Sequence, residues 1–259
     1  METLPDSLTT PLVELLLSIA DDKLILGSRN SDWTGLAPIL EEDIAFSALA
    51  QDDIAHAASL YEFVAQLTGD RADRLAYGRQ PEEYRCAQLV ELEDGFDWAN
   101  VLARQFYCDH LDELRLSRLA RSCYRPLAAL AARLLAEERL SLGHADGWIS
   151  RLLGSTEEAR QRMLAALTAL AAPACALCEP TVGVEALESA GVYPPAEGEM
   201  FALWSGAVAK TLQGAGVRLD LRPPGSEYTG GRRGRRSEAF AALLDEIAEV
   251  YRVEPEAAW

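Results

Sequence analysis

Two four-residue steps combine the side-chain types that bind non-haem iron. Asp53 stands three positions before His56, and Glu138 stands three positions before Ser141. Residues at this spacing lie on one face of an α-helix, so a carboxylate and an imidazole can share a metal ion. Two carboxylate–histidine steps, with one further carboxylate from each of two more helices, form the di-iron site of ferritin-like bundles. The chemistry indicated is therefore oxygen activation at a di-iron centre.

The second step lacks the histidine that iron would need. Ser141 stands in its place, and a neutral hydroxyl is a poor iron ligand. The candidates for the two further carboxylates are Asp22 (or Asp21) and Asp109. We therefore predict that this chain has no catalytic residue, no cofactor and no bound metal. The vestigial di-iron positions are Asp22, Asp53, His56, Asp109 and Glu138.

One surviving step leaves alternatives open. A catalytically active di-iron oxygenase with an unusual ligand set is the main one, because Asp53 and His56 are both present. Against it, acidic residues on the helices of so acidic a chain are usually just solvated. His144 would have to reach back by about a turn to substitute for the missing ligand, and His110 points about 100° away from its neighbour Asp109. We expect neither histidine to complete the site.

Carboxylates left in an empty site are costly to bury unless they are protonated or paired. We therefore predict that a basic or hydrogen-bonding group occupies part of that space. Three cations lie nearby in the helical interpretation, and the sequence does not choose among them: Lys23, Arg104 and Arg139.

Four long helices must position these residues. Hydroxyl side chains followed by proline predict helix starts, and glycines predict helix ends. The first helix is expected to stop at Gly27 and the second at Gly69. The expected ranges are 9–26, 38–69, 96–122 and 126–154. The four helices form two pairs, and each pair ends in a helix that carries a carboxylate step, which is a faint internal duplication.

Further helices are expected after this core. A fifth begins at Ser155 and ends or kinks at Pro173, and shorter ones cover about 183–190, 197–213 and 237–252. The stretch 222–236 is expected to be a long loop. We predict an all-α fold, a ferritin-like four-helix bundle with extra C-terminal helices. We expect a single domain over 1–259, with a core at about 9–154 and a C-terminal extension at about 155–259.

Composition limits the classes of partner. Hydrophobic residues make up 49% and aromatic residues 7% of the chain, with alanine and leucine dominant, which favours helices. The net charge of -17 disfavours nucleic acid and anionic membranes as partners. The longest uncharged apolar run, 163–178, falls short of the roughly 20 residues of a membrane span. No signal peptide is expected, and five scattered cysteines fit a reducing cytoplasm. The lone Cys175–Cys178 pair is interpreted as two core residues.

Several motifs resemble the phenylacetic acid catabolic protein family. They span nearly the whole chain, and the tail is the most discriminating of them. The motifs before the tail are Trp33–Pro38, Ala50–Asp52 with His56–Ala57, Trp98–Phe106 and Glu138–Trp148. The motifs of the tail are Tyr228–Gly234, Ser237–Glu238, Leu243–Glu246, Arg252, Pro255 and Trp259.

The tail is similar to that of the C-type subunits of multicomponent ring-1,2-phenylacetyl-CoA epoxidases. The resemblance implies a structural subunit without a working metal site, which pairs with an A-type catalytic subunit that holds the di-iron centre and the CoA thioester. A reductase subunit with flavin and an iron–sulfur cluster supplies electrons from NADPH in this family. We therefore expect a cytoplasmic hetero-oligomer that acts in aerobic phenylacetate degradation. A ferritin-like homodimer without such a partner stays open.

Two features depart from the family pattern. The step from Asp53 to His56 is closer to the ligand step of the catalytic subunit than in many C-type subunits. Arg236 stands where the tail usually has a histidine. The segment Arg232–Arg236 is also the densest cationic patch. It is a solvated loop, a contact for an acidic partner surface, or a contact for the phosphates of CoA.

Overall fold

The computed structural model describes residues 4–93, 95–225 and 227–257. Within these ranges all regular structure is helical, which confirms the all-α prediction and is consistent with a ferritin-like bundle. The α-helices are, in chain order, α1 (Asp6–Ser31), α2 (Leu40–Thr68), α3 (Ala72–Tyr77), α4 (Gln88–Glu91), α5 (Trp98–Leu119), α6 (Arg125–Leu153), α7 (Glu157–Cys175), α8 (Val184–Ser189), α9 (Met200–Gly214), α10 (Phe240–Ile247) and α11 (Glu249–Val253). Short 3-10 turns cover Pro81–Glu83, Ala176–Cys178 and Gly231–Arg233.

The helices belong to two compact units, each assembled from separate stretches of sequence. The N-terminal unit contains residues 4–92, 179–184 and the tail from residue 229. The C-terminal unit contains residues 93–178 and 185–228. The expected C-terminal extension is thus divided between the two units. The boundaries of a single domain stay a prediction.

The N-terminal unit is built on the pairing of α1 with α2. The sequence predicted that α1 ends at Gly27. In the structure Gly27 lies inside α1, at the point where α1 contacts α2. A Cβ atom at this position would stand 2.8 Å from Cγ1 of Ile54 and 2.9 Å from the carbonyl oxygen of Ala50. The glycine therefore permits close packing, and the prediction of a helix stop was wrong.

The C-terminal unit packs α7 and α9 against α5 and α6. In its core, buried polar side chains donate hydrogen bonds to backbone carbonyl groups of neighbouring helices. Without these bonds the polar groups would be buried without a partner. The Tyr107 hydroxyl donates to the carbonyl of Leu167 at 2.9 Å, and the Trp204 indole donates to the carbonyl of Tyr107 at 3.0 Å. These links join α5 to both flanking helices.

One segment, Glu157–Cys178, is apolar and long enough to cross a membrane by length and composition. From the sequence, the uncharged run 163–178 was expected to be too short for a membrane span, but the segment that passes the test also includes charged residues before this run. Met163, Ala166 and Leu167 are buried within the C-terminal unit, so one face of α7 is a core face. Core helices of other proteins pass the same test, and a single such segment is weak evidence for a membrane span.

Candidate metal centre

Asp53 is paired with a lysine from the neighbouring helix. The Lys23 ammonium on α1 lies 2.8 Å from Oδ1 of Asp53 on α2, and both side chains are almost fully buried. The prediction that a cation fills space beside the vestigial carboxylates is confirmed for Lys23. A ferrous or ferric ion bound by this carboxylate would face a fixed positive charge within a few ångströms, which is strongly unfavourable at low dielectric.

Asp22 is held by an arginine from the tail. Arg232 donates from Nη1 to Oδ1 at 2.8 Å and from Nη2 to Oδ2 at 2.6 Å, a two-pronged pair that is buried on both sides. The backbone amide of Ala87 donates to Oδ1 at 2.7 Å. Both oxygens of this carboxylate are therefore used inside the N-terminal unit.

Arg232 is in turn fixed by the main chain. Its Nη1 also donates to the carbonyl oxygens of Ser18 and Arg85, each at 2.9 Å. Two backbone amides of the tail, those of Gly230 and Arg232, donate to the carboxylate of Glu179 at 2.8 and 3.0 Å. The guanidinium is thus a structural part of the core and not a mobile side chain.

Asp21, the alternative to Asp22, has its own partners. Arg79 donates to both carboxylate oxygens, the Tyr61 hydroxyl donates at 2.6 Å, and the amide of Arg85 donates at 2.6 Å. Burial raises the pKa of the Tyr61 phenol, and the Asp21 carboxylate raises it further. Burial opposes the charge on Arg79, but Asp21 outweighs it and raises the pKa of the guanidinium. This group is a closed ion-pair network within the unit.

Asp109 in the C-terminal unit accepts hydrogen bonds from two neutral side chains. Ser141 on α6 donates to Oδ2 at 2.8 Å, and Gln105 on α5 donates to Oδ1 at 2.6 Å. The same Gln105 amide reaches the Ser141 hydroxyl at 3.2 Å. Ser141, where a di-iron step has histidine, therefore serves as a hydrogen-bond donor to a carboxylate.

The remaining predicted positions are buried, with one exception. Exposed fractions are 2% for His56, 1% for Glu138 and 2% for Arg104. Arg139 is exposed and pairs with Glu113 at 3.2 Å, so its prediction as a neighbour of the vestigial carboxylates was wrong.

His110 lies as the helical geometry predicts. Nε2 of His110 is 3.0 Å from Oδ1 of Asp146, and the His110 ring packs edge-on against Phe106. Asp146 also accepts a hydrogen bond from Thr211 at 3.1 Å. His110 is thus engaged away from Asp109, as expected.

The structure excludes one of the three alternatives for the segment Arg232–Arg236, a fully solvated loop. Arg236 lies 2.6 Å from Oε1 of Glu91 and donates to the carbonyl of Cys86 at 2.9 Å, and its side chain is buried like that of Arg232. Arg233 and Arg235 alone of the four arginines in this segment are exposed. A Cβ at Gly231 would overlap the carbonyl oxygen of Cys86, which explains a glycine between these anchors. Trp259 of the tail motif lies outside the described residues.

The arginine partners were missed because their carboxylates are distant in sequence. Arg232 and Asp22 are 210 positions apart. The only sequence signal was the density of arginines in a segment rich in glycine, which is equally typical of a surface loop. Arg79 gave no signal of its own.

The cysteines form no reactive arrangement among the described residues. Cys175 is buried at the end of α7, as predicted for a core residue, whereas Cys178 in the following 3-10 turn is only half-buried. Burial raises the pKa of the Cys86 thiol, which disfavours the nucleophilic thiolate.

The donor set does not fit a di-iron centre. Among the described residues, no group of three or more His, Cys, Asp or Glu is arranged to hold a metal ion. In the N-terminal unit Asp22 and Asp53 each carry an internal cation, and in the C-terminal unit Asp109 accepts two hydrogen bonds. Buried carboxylates of this kind are stabilised by their partners, and metal binding would require those partners to leave. The absence of iron itself stays a prediction.

Comparison with known proteins gives similarity along the entire chain. The model of the family described as "Phenylacetic acid catabolic protein" matches residues 1–259. A curated relative from Escherichia coli strain K12, the C-type subunit of 1,2-phenylacetyl-CoA epoxidase, is 29% identical over 250 residues, which are 96% of this chain and 99% of that protein. The match therefore includes both stretches that carry the buried ion pairs, α1 and the tail.

Proposed function

The chain belongs to the phenylacetic acid catabolic protein family, and we propose that it is the non-catalytic structural subunit of a multicomponent 1,2-phenylacetyl-CoA epoxidase. In this role it acts in aerobic phenylacetate degradation without performing the oxygen chemistry. The C-type relative from Escherichia coli supports the assignment over almost the full length of both chains.

The pairing of Lys23 with Asp53 is the observation that carries the non-catalytic role. Iron bound by Asp53 would stand close to the ammonium of Lys23, which is buried 2.8 Å from Oδ1, and the two positive charges would repel each other. Arg232 occupies both oxygens of Asp22 in the same unit. These cations supply counter-charge to the two carboxylates, which supports a role for this chain that does not require iron.

The proposed partner is the A-type catalytic subunit, which would hold the di-iron centre and the CoA thioester. A structural subunit retains the core and surface of its ancestor after the chemistry has been lost, which fits this chain. The reductase subunit is a second candidate partner. We propose the cytoplasm as the location, because the acyl-CoA substrate and the NADPH of such an epoxidase are cytoplasmic metabolites.

Co-expression with a catalytic subunit of the family tests the proposal. We expect a stable hetero-complex by size-exclusion chromatography with light scattering. Epoxidation of phenylacetyl-CoA by catalytic subunit and reductase should require this chain, while this chain and reductase alone should give none. A catalytic subunit that neither binds this chain nor depends on it would contradict the proposal.

The alternative of an active di-iron oxygenase makes a different prediction. It requires near-stoichiometric iron in the purified chain, loss of that iron in His56→Ala, and oxygen-dependent turnover by this chain. Metal analysis of the parent and the variant decides between the two functions. A stable homodimer that excludes the catalytic subunit would instead support the third possibility.

A further inference from the structure

The start of α2 exposes an unusual concentration of aliphatic side chains. Exposed fractions are 55% for Leu36, 47% for Ile39, 71% for Leu40 and 64% for Ile44. Leu40 and Ile44 are one turn apart and share a helix face. We name these four residues the α2 entry face. Exposed apolar residues are ordinary when scattered, but a concentration of this kind is typical of interaction surfaces.

The α2 entry face is presented by a segment that its own hydrogen bonds hold in place. The amide of Gly35 donates to Oδ1 of Asp43 at 2.6 Å, and the hydroxyls of Thr34 and Ser47 are 3.0 Å apart. The amide of Leu36 closes a turn onto the carbonyl of Trp33 at 2.9 Å. These bonds tie the loop before α2 onto its first two turns. The face is therefore preorganised, which reduces the entropic cost of binding.

The surroundings of this face are acidic. From residue 30 to residue 52 the sequence has five Asp and Glu residues and no Lys or Arg. Asp32, Glu41 and Asp52 are exposed in this stretch. An apolar centre with a rim of one charge sign calls for a partner with an apolar centre and a rim of the opposite sign.

This charge pattern selects among possible occupants. A second copy of the chain would bring another net charge of -17 and the same acidic rim, so the like charges would repel across a two-fold axis. An anionic membrane is repelled for the same reason. A different protein with exposed aliphatic side chains and a Lys/Arg rim has no such penalty.

We propose that the α2 entry face is the docking surface for the catalytic subunit, which would cover Leu40 and Ile44 with aliphatic side chains and surround them with lysines and arginines. This inference rests on the proposed function, because that function supplies the partner. The apolar centre provides most of the affinity, and the acidic rim mainly accelerates association.

Titration against purified catalytic subunit tests the surface. The double variant Leu40→Ser/Ile44→Ser is expected to raise the Kd by roughly 10- to 100-fold, because both side chains lie at the proposed centre. The matched control is Val250→Ser/Val253→Ser on α11 of the same unit, where exposed fractions are 61% and 83%. It should leave the Kd within about twofold.

A charge variant probes the rim separately. Glu41→Lys is expected to slow association at low salt, and the difference should shrink at high salt because screening weakens the steering. Light scattering of each chain alone reports self-association, and circular dichroism confirms that the variants remain helical.

The outcomes separate the two proposals. Wild-type chain that fails to bind the catalytic subunit would overturn both the proposed function and this surface. Wild-type binding that the Leu40/Ile44 variant retains, or that the α11 control weakens equally, would overturn the surface and leave the function standing. A homodimer of the wild-type chain that the Leu40/Ile44 variant dissociates would identify a second copy as the occupant and also overturn the proposal.

Discussion

At the residue scale, the carboxylates that would bind iron in an active bundle are held by groups of this chain. Lys23 and Arg232 neutralise Asp53 and Asp22, and Ser141 hydrogen-bonds Asp109. A buried ion pair is not necessarily more stable than apolar residues of similar size, but removal of one partner leaves the other charge buried and unpaired. The stability of this region should therefore depend on the pairing and not on the individual charges.

Substitution of Lys23 by methionine tests this dependence. The variant keeps the length of the side chain but strands the Asp53 carboxylate, so the free energy of unfolding should fall by about 3–5 kcal/mol. Lys23→Met combined with Asp53→Asn removes both charges and should recover a substantial part of that loss. Urea denaturation of the two variants and the parent measures the difference. Equal destabilisation by single and double variants would contradict the proposed coupling.

Tyr61 predicts a pH dependence on the alkaline side. Burial and the Asp21 carboxylate raise the pKa of its phenol above the ordinary value of about 10. The neutral phenol therefore contributes stability that is fully present below pH 10 and is lost as pH rises towards the pKa of the folded state. We expect the free energy of unfolding to fall more steeply above pH 10 in the parent than in Tyr61→Phe. Parallel pH profiles of the two proteins would contradict this assignment.

At the element scale, the helix ends were predictable where the signal is local. Gly69 takes a left-handed conformation at φ 76° after α2, Asp97 caps α5 by accepting from the amide of Ala99, and Thr156 caps α7. Each of these signals involves residues within one turn, so a sequence pattern can carry it. Gly27 has the same residue type as Gly69 but a different role. A glycine is needed at position 27 because α2 packs against it, and a local sequence pattern does not show this contact.

Gly27→Ala should destabilise the protein although alanine is the better helix former. Its Cβ would stand 2.8 Å from Ile54 and 2.9 Å from a backbone oxygen of α2, so overpacking should cost about 1–3 kcal/mol. Gly143→Ala on α6 is the matched control, because a Cβ there meets no atom within 4 Å. That variant should gain up to about 1 kcal/mol from helix propensity. Thermal and urea unfolding measure both, and a stabilising Gly27→Ala would show that the two helices separate readily.

In the candidate site, too, the residues that follow from local helical spacing were predicted, and the partners from distant parts of the chain were not. The sequence indicated the acidic positions and suggested Lys23, because all of them follow from helical spacing on α1, α2, α5 and α6. It did not indicate Arg79 or Arg232 as partners, since neither lies on those helices. Pairing of this kind depends on the tertiary fold, which brings the tail next to α1.

At the scale of the whole molecule, the N-terminal unit is closed by the end of the chain. Its tail inserts Arg232 beside Asp22, 210 positions away, and Arg236 beside Glu91. Within the described residues, the C-terminal unit draws on the stretch 93–228, which residues 179–184 interrupt. The two arginines of the tail neutralise buried carboxylates of the N-terminal unit, which would be left without these partners if the tail were removed. The N-terminal unit should therefore depend on the tail far more than the C-terminal unit does.

Truncation after Tyr228 tests this dependence. Without the tail, Asp22 and Glu91 lose their guanidinium partners and Glu179 loses two backbone amide donors, while all three carboxylates belong to the core of the unit. We expect amides of α1 to lose protection from hydrogen exchange, while amides of α5 near Tyr107 keep theirs, because their links to α7 and α9 remain.

Truncation after Ile247 is the matched control for the loss of chain. It removes α11 but keeps Arg232, Arg236 and the buried residues of α10, so exchange in α1 should change little. Equal loss of protection in the two truncations would assign the effect to α11, whose Tyr251 packs against Tyr77 at 6.1 Å between ring centroids. Loss confined to the longer truncation would assign the effect to residues 229–247, which contribute two buried guanidinium groups and the buried face of α10 to the core.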